Sequence, residues 1–490
     1  MRALLEFINH ANAGPDASCL FRHASGKAVA LFRRAAKHVP AYRHFLERNG
    51  VNAEKIQDAA SFAHVPLINK KNYIEQYSLA ERCWNGTEEG AQAIAASSGS
   101  TGAPLFWPRY IQQDFDFALI HERILRDTFA VHTGRWTLFV NTFALGNWSA
   151  GMVFQHGALL MQLRGMPICL ASPGYSVTET LPILRHFAPQ FGQTIVLGHP
   201  PFLRMLMAAA VDDAYPVRDW NLRFVGAGEG VSESFRDLIH ETVGATDPLR
   251  TFINIYGSAE FCLMGFETPL SIAYKRGLVR NTLRPTIVVD GRDSFVYQFD
   301  PSVKYLESVQ GDIVTTADST MPLVRYDILD EGEVLWPDAV SAQGEGWLES
   351  DLIQQGVNPA LQQLPMVVIR GRRDVAVSLF AINIYPESLK RALEDSSLVV
   401  SVTGRLRVRK EHAEGGRDRL VLDVELRPNV EPSAQLSSHI AQVVVAMLRS
   451  MNSEYCRAYE TLGSVLDPLV RLVAYEDPEI FPSGKLKKLS

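Results

Sequence analysis

Residues 222–257 read LRFVGAGEGVSESFRDLIHETVGATDPLRTFINIYG and contain one strand–helix–strand unit. The unit begins with a short apolar run, LRFVG, and ends with a second one, TFINIY, both typical of buried strands. Between them, SESFRDLIHETV places apolar residues at helical spacing. A connection of this length that contains a helix favours two parallel strands.

The same alternation of short apolar runs and helical patterns extends over residues 136–260. The earlier strand candidates are WTLFVN, PICLA and TIVL, and the helices after them are MVFQHGALLMQL, TETLPILRHF and FLRMLMAAAV. Repeated units of this kind predict a parallel sheet covered by helices. Small or turn-forming residues follow each strand, in FALGN (143–147), SPG (172–174), GHPP (198–201), GAGEG (226–230) and GSAE (257–260). Each loop alone could be a tight turn, but together they predict a ligand cleft at the carboxyl ends of the strands.

Composition limits the function classes. The chain has 490 residues, enough for two or three domains, and its net charge of −6 argues against nucleic acid as a main partner. The apolar segment 136–163 contains Asn141, Asn147, Gln155 and His156, so it predicts strand, turn and buried helix rather than a membrane span. We expect a cytoplasmic protein without a membrane partner.

The scattered cysteines favour neither disulfides nor a zinc site: Cys19, Cys83, Cys169, Cys262 and Cys456.

The pattern changes after residue 370. Strands are predicted at 382–385 and 470–475, helices at 386–394 and 433–449, and a hairpin from 398–409 and 419–427. The predicted fold class is therefore α/β, with a large N-terminal domain (1–370) of parallel sheets covered by helices and a small, mobile C-terminal α+β domain (371–490).

A loop rich in glycine, serine and threonine precedes the parallel unit. Residues 96–109 read ASSGSTGAPLFWPR, and Ser97, Ser98, Gly99, Ser100, Thr101 and Gly102 offer hydroxyls and unshielded backbone N–H groups. This is the chemistry of a phosphate-binding loop, although a flexible linker has a similar composition. Ala103 and Pro104 follow Gly102, so the loop is not a Walker P-loop, which requires Gly-Lys-Ser/Thr there.

Four further residues are candidates for chemistry. Glu260 follows the Gly turn in IYGSAEF and could hold Mg²⁺ against phosphate oxygens, although such a glutamate is more often solvated. Asp330 follows an apolar strand and could accept hydrogen bonds from ribose hydroxyls. Arg372 lies at the predicted domain junction. Lys485 lies in IFPSGKLKKLS, where Pro482, Ser483 and Gly484 predict a turn rather than a plain solvated tail.

The order of these motifs resembles the adenylate-forming superfamily, and most of all its phenylacetate–CoA ligase branch. The resemblance covers roughly residues 30–490 and is carried by SSGSTGAP (97–104), GAGEG (226–230), YGSAE (256–260), RYDILD (325–330), GRRDVAVSLFAINIYP (371–386) and PSGKLKK (482–488).

The resemblance implies a role for each motif. Residues 97–102 would bind the β- and γ-phosphates of ATP, Glu260 would bind Mg²⁺ and Lys485 would be the catalytic lysine. Asp374 would be the hinge on which the small domain turns. The adenine and ribose would be bound by Gly228, Glu229, Tyr256, Gly257, Asp330 and Arg372. The acid pocket would be lined by Phe143, Asn147, Trp148, His199 and Gly226, which suits an aromatic or medium-sized apolar acid, although Trp148 and His199 could equally be packing residues.

Four positions depart from the family pattern. Ala259 replaces a Thr or Ser, Leu105 replaces a Lys or Thr, and residues 327–329 replace Arg-Thr-Gly. Ala381 replaces a glycine beside the pantetheine tunnel. The resemblance therefore implies ATP-dependent formation of an acyl-adenylate, then transfer to coenzyme A. Transfer to an amine or a carrier-protein thiol and a non-catalytic nucleotide-binding relative are the alternatives, and a homodimer is left open.

Overall fold

A computed structural model describes residues 7, 20–97, 105–131, 134, 136–231, 233–279, 294–337, 364–372, 377–380, 382–384, 389, 392–393, 395–398, 400–412, 418–475, 477 and 479–481. The chain divides into two compact units. One comprises Met1–Ala95 with Phe106–Arg373, and the second comprises Asp374–Ser490 with Ala96–Leu105. The functional domains predicted at 1–370 and 371–490 stay predictions.

The first unit contains most of the secondary structure. Its helices are α1 (Leu20–His38), α2 (Pro40–Arg48), α3 (Ala59–Phe62), α4 (Leu79–Arg82), α5 (Ile111–Phe129), α6 (Ser149–Leu163), α7 (Val177–Phe187), α8 (Pro200–Asp212), α9 (Glu233–Val243) and α10 (Pro269–Val279). Single 3-10 turns lie at Ala53–Lys55, Trp84–Gly86, Ala188–Gln190 and Val217–Asp219, and a π-helical turn lies at Lys70–Ile74.

The strands before the small unit are numbered β1 to β13. They are β1 (Ala93–Ser97), β2 (Leu105–Arg109), β3 (Thr137–Asn141), β4 (Ile168–Ala171), β5 (Gln193–Gly198), β6 (Leu222–Ala227), β7 (Phe252–Ser258), β8 (Cys262–Phe266), β9 (Phe295–Gln298), β10 (Tyr305–Val309), β11 (Asp312–Ala317), β12 (Leu323–Leu335) and β13 (Met366–Arg372). Strands β1 and β2 form a two-stranded sheet, and the others form one sheet in the order β10-β11-β12-β13-β9-β8-β7-β6-β5-β3-β4.

The parallel part of this sheet confirms the prediction from the apolar runs. Strands β4, β3, β5, β6 and β7 pair in parallel with their neighbours. Successive residues of β3 alternate between two cores: Phe139 packs on the side of α5 and α6, and Leu138 and Val140 pack on the side of α7 and α8. Because helices cover both faces, these strands are apolar throughout rather than alternating with polar residues.

The antiparallel part of the sheet was not predicted. Strand β8 pairs antiparallel with β7 through a hairpin, and β9, β13, β12, β11 and β10 continue the antiparallel pairing. The large unit therefore holds one mixed sheet rather than parallel sheets alone. The pairings β8–β9, β9–β13 and β12–β13 join residues far apart in the chain, such as Gln298 and Met366, and no local sequence pattern predicts them.

The second unit confirms most of the predicted α+β elements, while the predicted helix at 386–394 lies largely outside the described residues. Its strands are β14 (Val377–Leu379), β15 (Ile382–Ile384), β16 (Val402–His412), β17 (Asp418–Leu426) and β18 (Leu469–Val473), and its helices are α11 (Ala434–Met451) and α12 (Ser453–Leu462) with a 3-10 turn at Gly463–Leu466. Strands β16 and β17 form the expected hairpin, and β18 pairs in parallel with β17. Helix α12 was not predicted.

Within the described ranges, none of the helices combines the length and the apolar character that crossing a bilayer requires.

Gly226 on β6 leaves room for the side chains of Phe252 and Asn254 on β7, and it provides a test of this packing. A Cβ atom there would lie 2.6 Å from the Phe252 ring and 2.7 Å from Asn254 Oδ1. We expect Gly226→Ala to lower the free energy of unfolding by about 1–3 kcal/mol, because a well-packed core cannot absorb a methyl group. The matched control is Gly26→Ala in the exposed part of α1, where nothing lies within 4 Å. It should stabilise the protein by about 0.5–1 kcal/mol. Equal unfolding midpoints for the two variants in urea would contradict this packing.

Candidate active site

Tyr256, Asp330 and Arg372, three of the predicted nucleotide-binding residues, meet at one point. The Tyr256 hydroxyl donates a hydrogen bond of 2.5 Å to Asp330 Oδ2, and Arg372 Nε lies 3.8 Å from Asp330 Oδ1. Asp330 on β12 pairs directly with Arg372 on β13. Asp330 is buried and the Arg372 side chain is 31% exposed, so the carboxylate is fixed while the guanidinium faces solvent.

The contact between Tyr256 and Asp330 requires a strongly curved sheet. Three strands, β8, β9 and β13, lie between β7 and β12 in the sheet order. In a flat sheet these two strands would be about 19 Å apart, which is more than a tyrosine and an aspartate side chain can span. The sheet therefore curls so that its antiparallel part brings Asp330 back to the carboxyl end of β7.

The backbone immediately before Asp330 has an unusual conformation. Leu329 has a φ of 70°, a value at which glycine is usual, and the Asp327 side chain accepts a hydrogen bond of 2.9 Å from the Leu329 N–H. The family pattern has glycine at this position. The chain thus keeps a glycine-like backbone geometry at Leu329, with Asp327 stabilising the turn.

Tyr256 has a fixed ring position. It stacks on Tyr297 with ring centroids 5.5 Å apart and an interplanar angle of 22°. Burial, and next the Asp330 charge, raises the pKa of Tyr256 well above its ordinary value, so the hydroxyl stays protonated and remains a donor. The tyrosine therefore holds one oxygen of Asp330 at any physiological pH.

The GAGEG loop after β6 is held by buried polar groups. Gly228 is exposed with a φ of 101°, and the Glu229 carbonyl accepts a hydrogen bond of 2.7 Å from Asn254 Nδ2. The backbone N–H of Asn254 donates a hydrogen bond to the Glu267 carboxylate. Arg236 Nη2 lies 2.8 Å from each of the two Glu267 carboxylate oxygens and donates to them. Asn254, Glu267 and Arg236 are all buried. Their contacts therefore fix the loop backbone at Glu229 from the protein interior.

The predicted acid-pocket residues occupy different environments. The Phe143 ring is fully buried, stacks on Phe154 at 5.0 Å and meets His199 edge-on at 5.0 Å. His199 Nδ1 lies 2.9 Å from the Ala227 carbonyl oxygen, and since that oxygen only accepts, Nδ1 carries the proton. Burial lowers the pKa of His199, so the ring is neutral. Tyr175 lies beside the same ring.

Two of the remaining three pocket candidates lie at the start of α6. Asn147 is exposed, and the half-buried Trp148 directly precedes the helix. The third, Gly226, is the buried first residue of the GAGEG segment and still belongs to β6. The structure thus brings Phe143 and His199 together with that loop through Ala227, whereas Asn147 and Trp148 belong to the neighbouring loop.

Glu260 lies in the tight turn between β7 and β8. It is half-buried, and Gly257 at the start of the turn comes so close to the Cys262 carbonyl that a Cβ would lie 2.0 Å from that oxygen. Among the described residues, no three histidine, cysteine or acidic side chains converge to form a metal site. Mg²⁺ held by one carboxylate and by phosphate oxygens does not need such a cluster, and the assignment of Glu260 to Mg²⁺ stays a prediction.

The chain resembles solved structures at low sequence identity. It matches 2-hydroxyisobutyryl-CoA ligase in complex with 2-HIB-AMP and CoA in the thioesterification state, at 17% identity with a TM-score of 0.66, over 97% of this chain and 89% of that one. The same ligase in the postadenylation state with R3-HIB-AMP matches at 17% identity with a TM-score of 0.54, over 96% of this chain and 89% of that one. Its open conformation in complex with 2-HIB-AMP and CoA matches at 16% identity with a TM-score of 0.53, over 98% of this chain and 97% of that one. The chain has the fold of an adenylate-forming ligase. No protein-family model and no curated protein matches it.

The adenylate-forming fold confirms the resemblance seen in the motifs, but only at the level of the fold. The phenylacetate–CoA ligase branch is not distinguished by these comparisons and stays a prediction. Several predicted residues lie outside the described part of the chain. They are Ser98, Gly99, Ser100, Thr101, Gly102, Asp374, Ala381 and Lys485, and of Ser97 only the backbone at the end of β1 is described.

Sequence reasoning missed the buried residues that contact the GAGEG loop and Tyr256 and fix their positions. Asn254 is the middle residue of the apolar run FINIY, and a polar residue in a buried strand was a usable signal. Arg236 and Glu267 carried no comparable signal, because charged residues on a helix and after a strand are usually solvated. Tyr297 lies in a strand that was not predicted.

Glu233 at the start of α9 provides a test of the buried ionic support. Burial would raise its pKa, but Arg236, Lys275 and Arg276 outweigh this and lower the pKa from 4.5 to about 2. The charged form is thus favoured by folding, and its contribution is present above pH 4.5 and lost as the pH falls to about 2. We expect Glu233→Gln to destabilise the protein at pH 7 by up to about 3 kcal/mol, with the difference from wild type vanishing toward pH 2.

Thermal unfolding between pH 2 and 7 measures this difference. The control is Glu241→Gln, an exposed position on the same helix. A constant gap between Glu233→Gln and wild type across the whole range would contradict the assignment.

Proposed function

We propose that this chain activates a carboxylic acid with ATP as an acyl-adenylate, releases pyrophosphate, and transfers the acyl group to coenzyme A. The observation that carries the proposal is the convergence of Tyr256, Asp330 and Arg372 from three strands of a sheet with the adenylate-forming fold. These residues were selected as a nucleotide site from their motifs, and their meeting at one point supports that assignment.

The proposed reaction has two steps. A carboxylate oxygen of the acid attacks the α-phosphorus of ATP, the bond to the bridging oxygen breaks, and pyrophosphate leaves with its electrons. The coenzyme A thiol then loses its proton and attacks the acyl carbon, and AMP leaves. The first step brings two anions together, so positive charge must be supplied where negative charge accumulates. Bound Mg²⁺ would supply part of that charge, held by Glu260 and phosphate oxygens.

The described residues position the nucleotide in this proposal. A carboxylate has about four acceptor positions, so Asp330 can hold the Tyr256 hydroxyl and the ribose hydroxyls at the same time. Arg372 adds a cation at the edge of the site. The GAGEG loop, held by Asn254, presents its backbone to the adenine and the acyl group.

The acid in this proposal is aromatic or apolar and of medium size. The support is the group of rings beside the loop, in which Phe143, Phe154, Tyr175 and the neutral His199 are packed together. These four described rings carry no cation that could bind a second carboxylate on the acid. Dicarboxylic acids are therefore expected to be poor substrates.

A second candidate shares the first step but uses an amine or a carrier-protein thiol as acceptor. It is favoured by Ala381, which replaces the glycine that lies beside the pantetheine tunnel in the family. A non-catalytic nucleotide-binding relative is the third candidate, and the joint presence of Glu260, Asp330, Asp374 and Lys485 argues against it.

Acid-dependent exchange of labelled pyrophosphate into ATP tests the proposal. The assay contains Mg²⁺ and a panel of aromatic, aliphatic and amino acids, without an acceptor. Exchange with an aromatic or apolar acid is the expected result, and the absence of exchange with every acid would reject adenylation. Coenzyme A and hydroxylamine, each added to an active acid, then separate thioester formation from transfer to an amine.

Asp330→Asn should weaken binding of AMP and ATP about tenfold. The neutral amide donates as well as accepts, and it also loses the charge-assisted hydrogen bond from Tyr256. Calorimetric titration with AMP measures the change. Asp318→Asn, in an exposed ion pair with Arg34, is the control and should bind AMP like wild type. Unchanged affinity in Asp330→Asn would remove Asp330 from the ribose site.

Lys485→Ala should reduce pyrophosphate exchange at least a hundredfold while AMP affinity stays within about twofold of wild type, because the lysine is proposed to act on the developing charge of the transition state. Lys487→Ala, in the same basic run, is the matched control. If both variants lost activity equally, the effect would belong to the charge of the tail and not to Lys485.

A further inference from the structure

Arg109 is a buried arginine that joins four elements of the large unit. Its side chain lies at the end of β2 and is 2% exposed. Nη1 donates to the Cys262 sulfur at the start of β8, and Nη2 donates to Asp114 Oδ1 on α5 at 2.9 Å. Asp114 Oδ2 lies 3.0 Å from His156 Nδ1 on α6. One guanidinium therefore connects β2 and α5 to β8, and through Asp114 to α6.

Arg109 and Asp114 both keep their charges despite burial. Burial lowers the pKa of Arg109, but Cys262 and Asp114 more than offset it, and the pKa is raised. Burial raises the pKa of Asp114, but the His156 hydrogen bond and the Arg109 charge outweigh it and lower the pKa. A buried ion pair with hydrogen bonds on both sides is a rigid connection, since neither partner can leave without stranding the other.

The Cys262 end of this connection lies in a strained turn. Cys262 has a φ of 58°, in the left-handed region that residues other than glycine rarely adopt. Its carbonyl oxygen packs against Gly257, where no side chain would fit. Such a conformation persists only where the surroundings hold it, and the Arg109 contact is made to the side chain of this residue.

We propose that Arg109 is a positioning residue for the turn that carries Glu260, and that Mg²⁺-dependent binding of ATP requires it. The part about ATP rests on the proposed function. Cys262 is separated from Glu260 by Phe261 alone, so a guanidinium that fixes Cys262 also fixes the direction of the turn. Arg109 itself does not touch the reacting atoms in this proposal. It acts through the backbone of residues 258–262.

Two variants separate positioning from general stability. Arg109→Lys keeps the charge, but one ammonium cannot reach Cys262 and Asp114 with the geometry of the guanidinium fork. Cys262→Gly removes the sulfur contact and relieves the left-handed strain, so it should fold. There are two controls. Arg123 lies on α5, like Asp114, and Arg123→Lys alters its ion pair with Asp300. Cys169→Ala changes a cysteine on β4.

The first readout is amide hydrogen exchange of residues 258–263 by mass spectrometry, which does not depend on activity. We expect faster exchange of this turn, by about tenfold or more, in Arg109→Lys and Cys262→Gly and in neither control. Unchanged exchange of the turn in both variants would overturn the proposal, whatever the enzyme assays give.

The second readout is the Mg²⁺ concentration for half-maximal pyrophosphate exchange. It should rise about tenfold in both variants, with the KM for the acid within twofold of wild type. An equal fall in kcat at every Mg²⁺ concentration, without this rise, would overturn the link to Mg²⁺. If wild type showed no exchange, the proposed function would fail while the hydrogen-exchange result would still decide the role of Arg109 in the turn.

Discussion

The hydrogen bond from Tyr256 to Asp330 is the constraint on which the site depends. Tyr256 belongs to the last parallel strand and Asp330 to a strand of the antiparallel part, with three strands between them. A pair of side chains can meet across that separation only if the sheet curls. The curvature, the glycine-like backbone at Leu329 and the stacking of Tyr256 on Tyr297 are all parts of one arrangement that places a buried carboxylate at the carboxyl end of β7.

Behind that contact, the site is held by buried charged groups rather than by apolar packing alone. Arg236 and Glu267 fix Asn254, and Asn254 fixes the GAGEG loop. Arg109, Asp114 and Cys262 connect the elements beside the Glu260 turn in the same way. Buried ion pairs of this kind contribute little net stability, but they specify one geometry because any alternative leaves a charge without its partner.

The two groups of buried charged residues, one around Arg236 and one around Arg109, act on the backbone rather than on side chains that would contact the substrates. The Glu229 carbonyl is held by an amide, and the turn at Glu260 is held through a neighbouring thiol. Loops at the carboxyl ends of strands have few apolar contacts of their own, so they need such anchors to keep a fixed shape. The proposed acid pocket is organised differently, with aromatic rings and a neutral histidine packed on one another.

The sequence by itself determined the parallel half of the sheet, the loops at its carboxyl edge and the elements of the small unit. Their signals are local: unbroken apolar runs for strands covered on both faces, helical spacing between them, and glycine at the strand ends. It also selected Tyr256, Asp330 and Arg372 through motif resemblance, while Ser98–Gly102 and Lys485 remain predictions outside the described residues. Only the tertiary structure decided the antiparallel half, the contact of Tyr256 with Asp330, and the roles of Asn254 and Arg109. Apart from the hairpins β7–β8, β10–β11 and β11–β12, these features join residues far apart in the chain. Contacts at such distances depend on the curvature of the whole sheet, which no short stretch of sequence encodes.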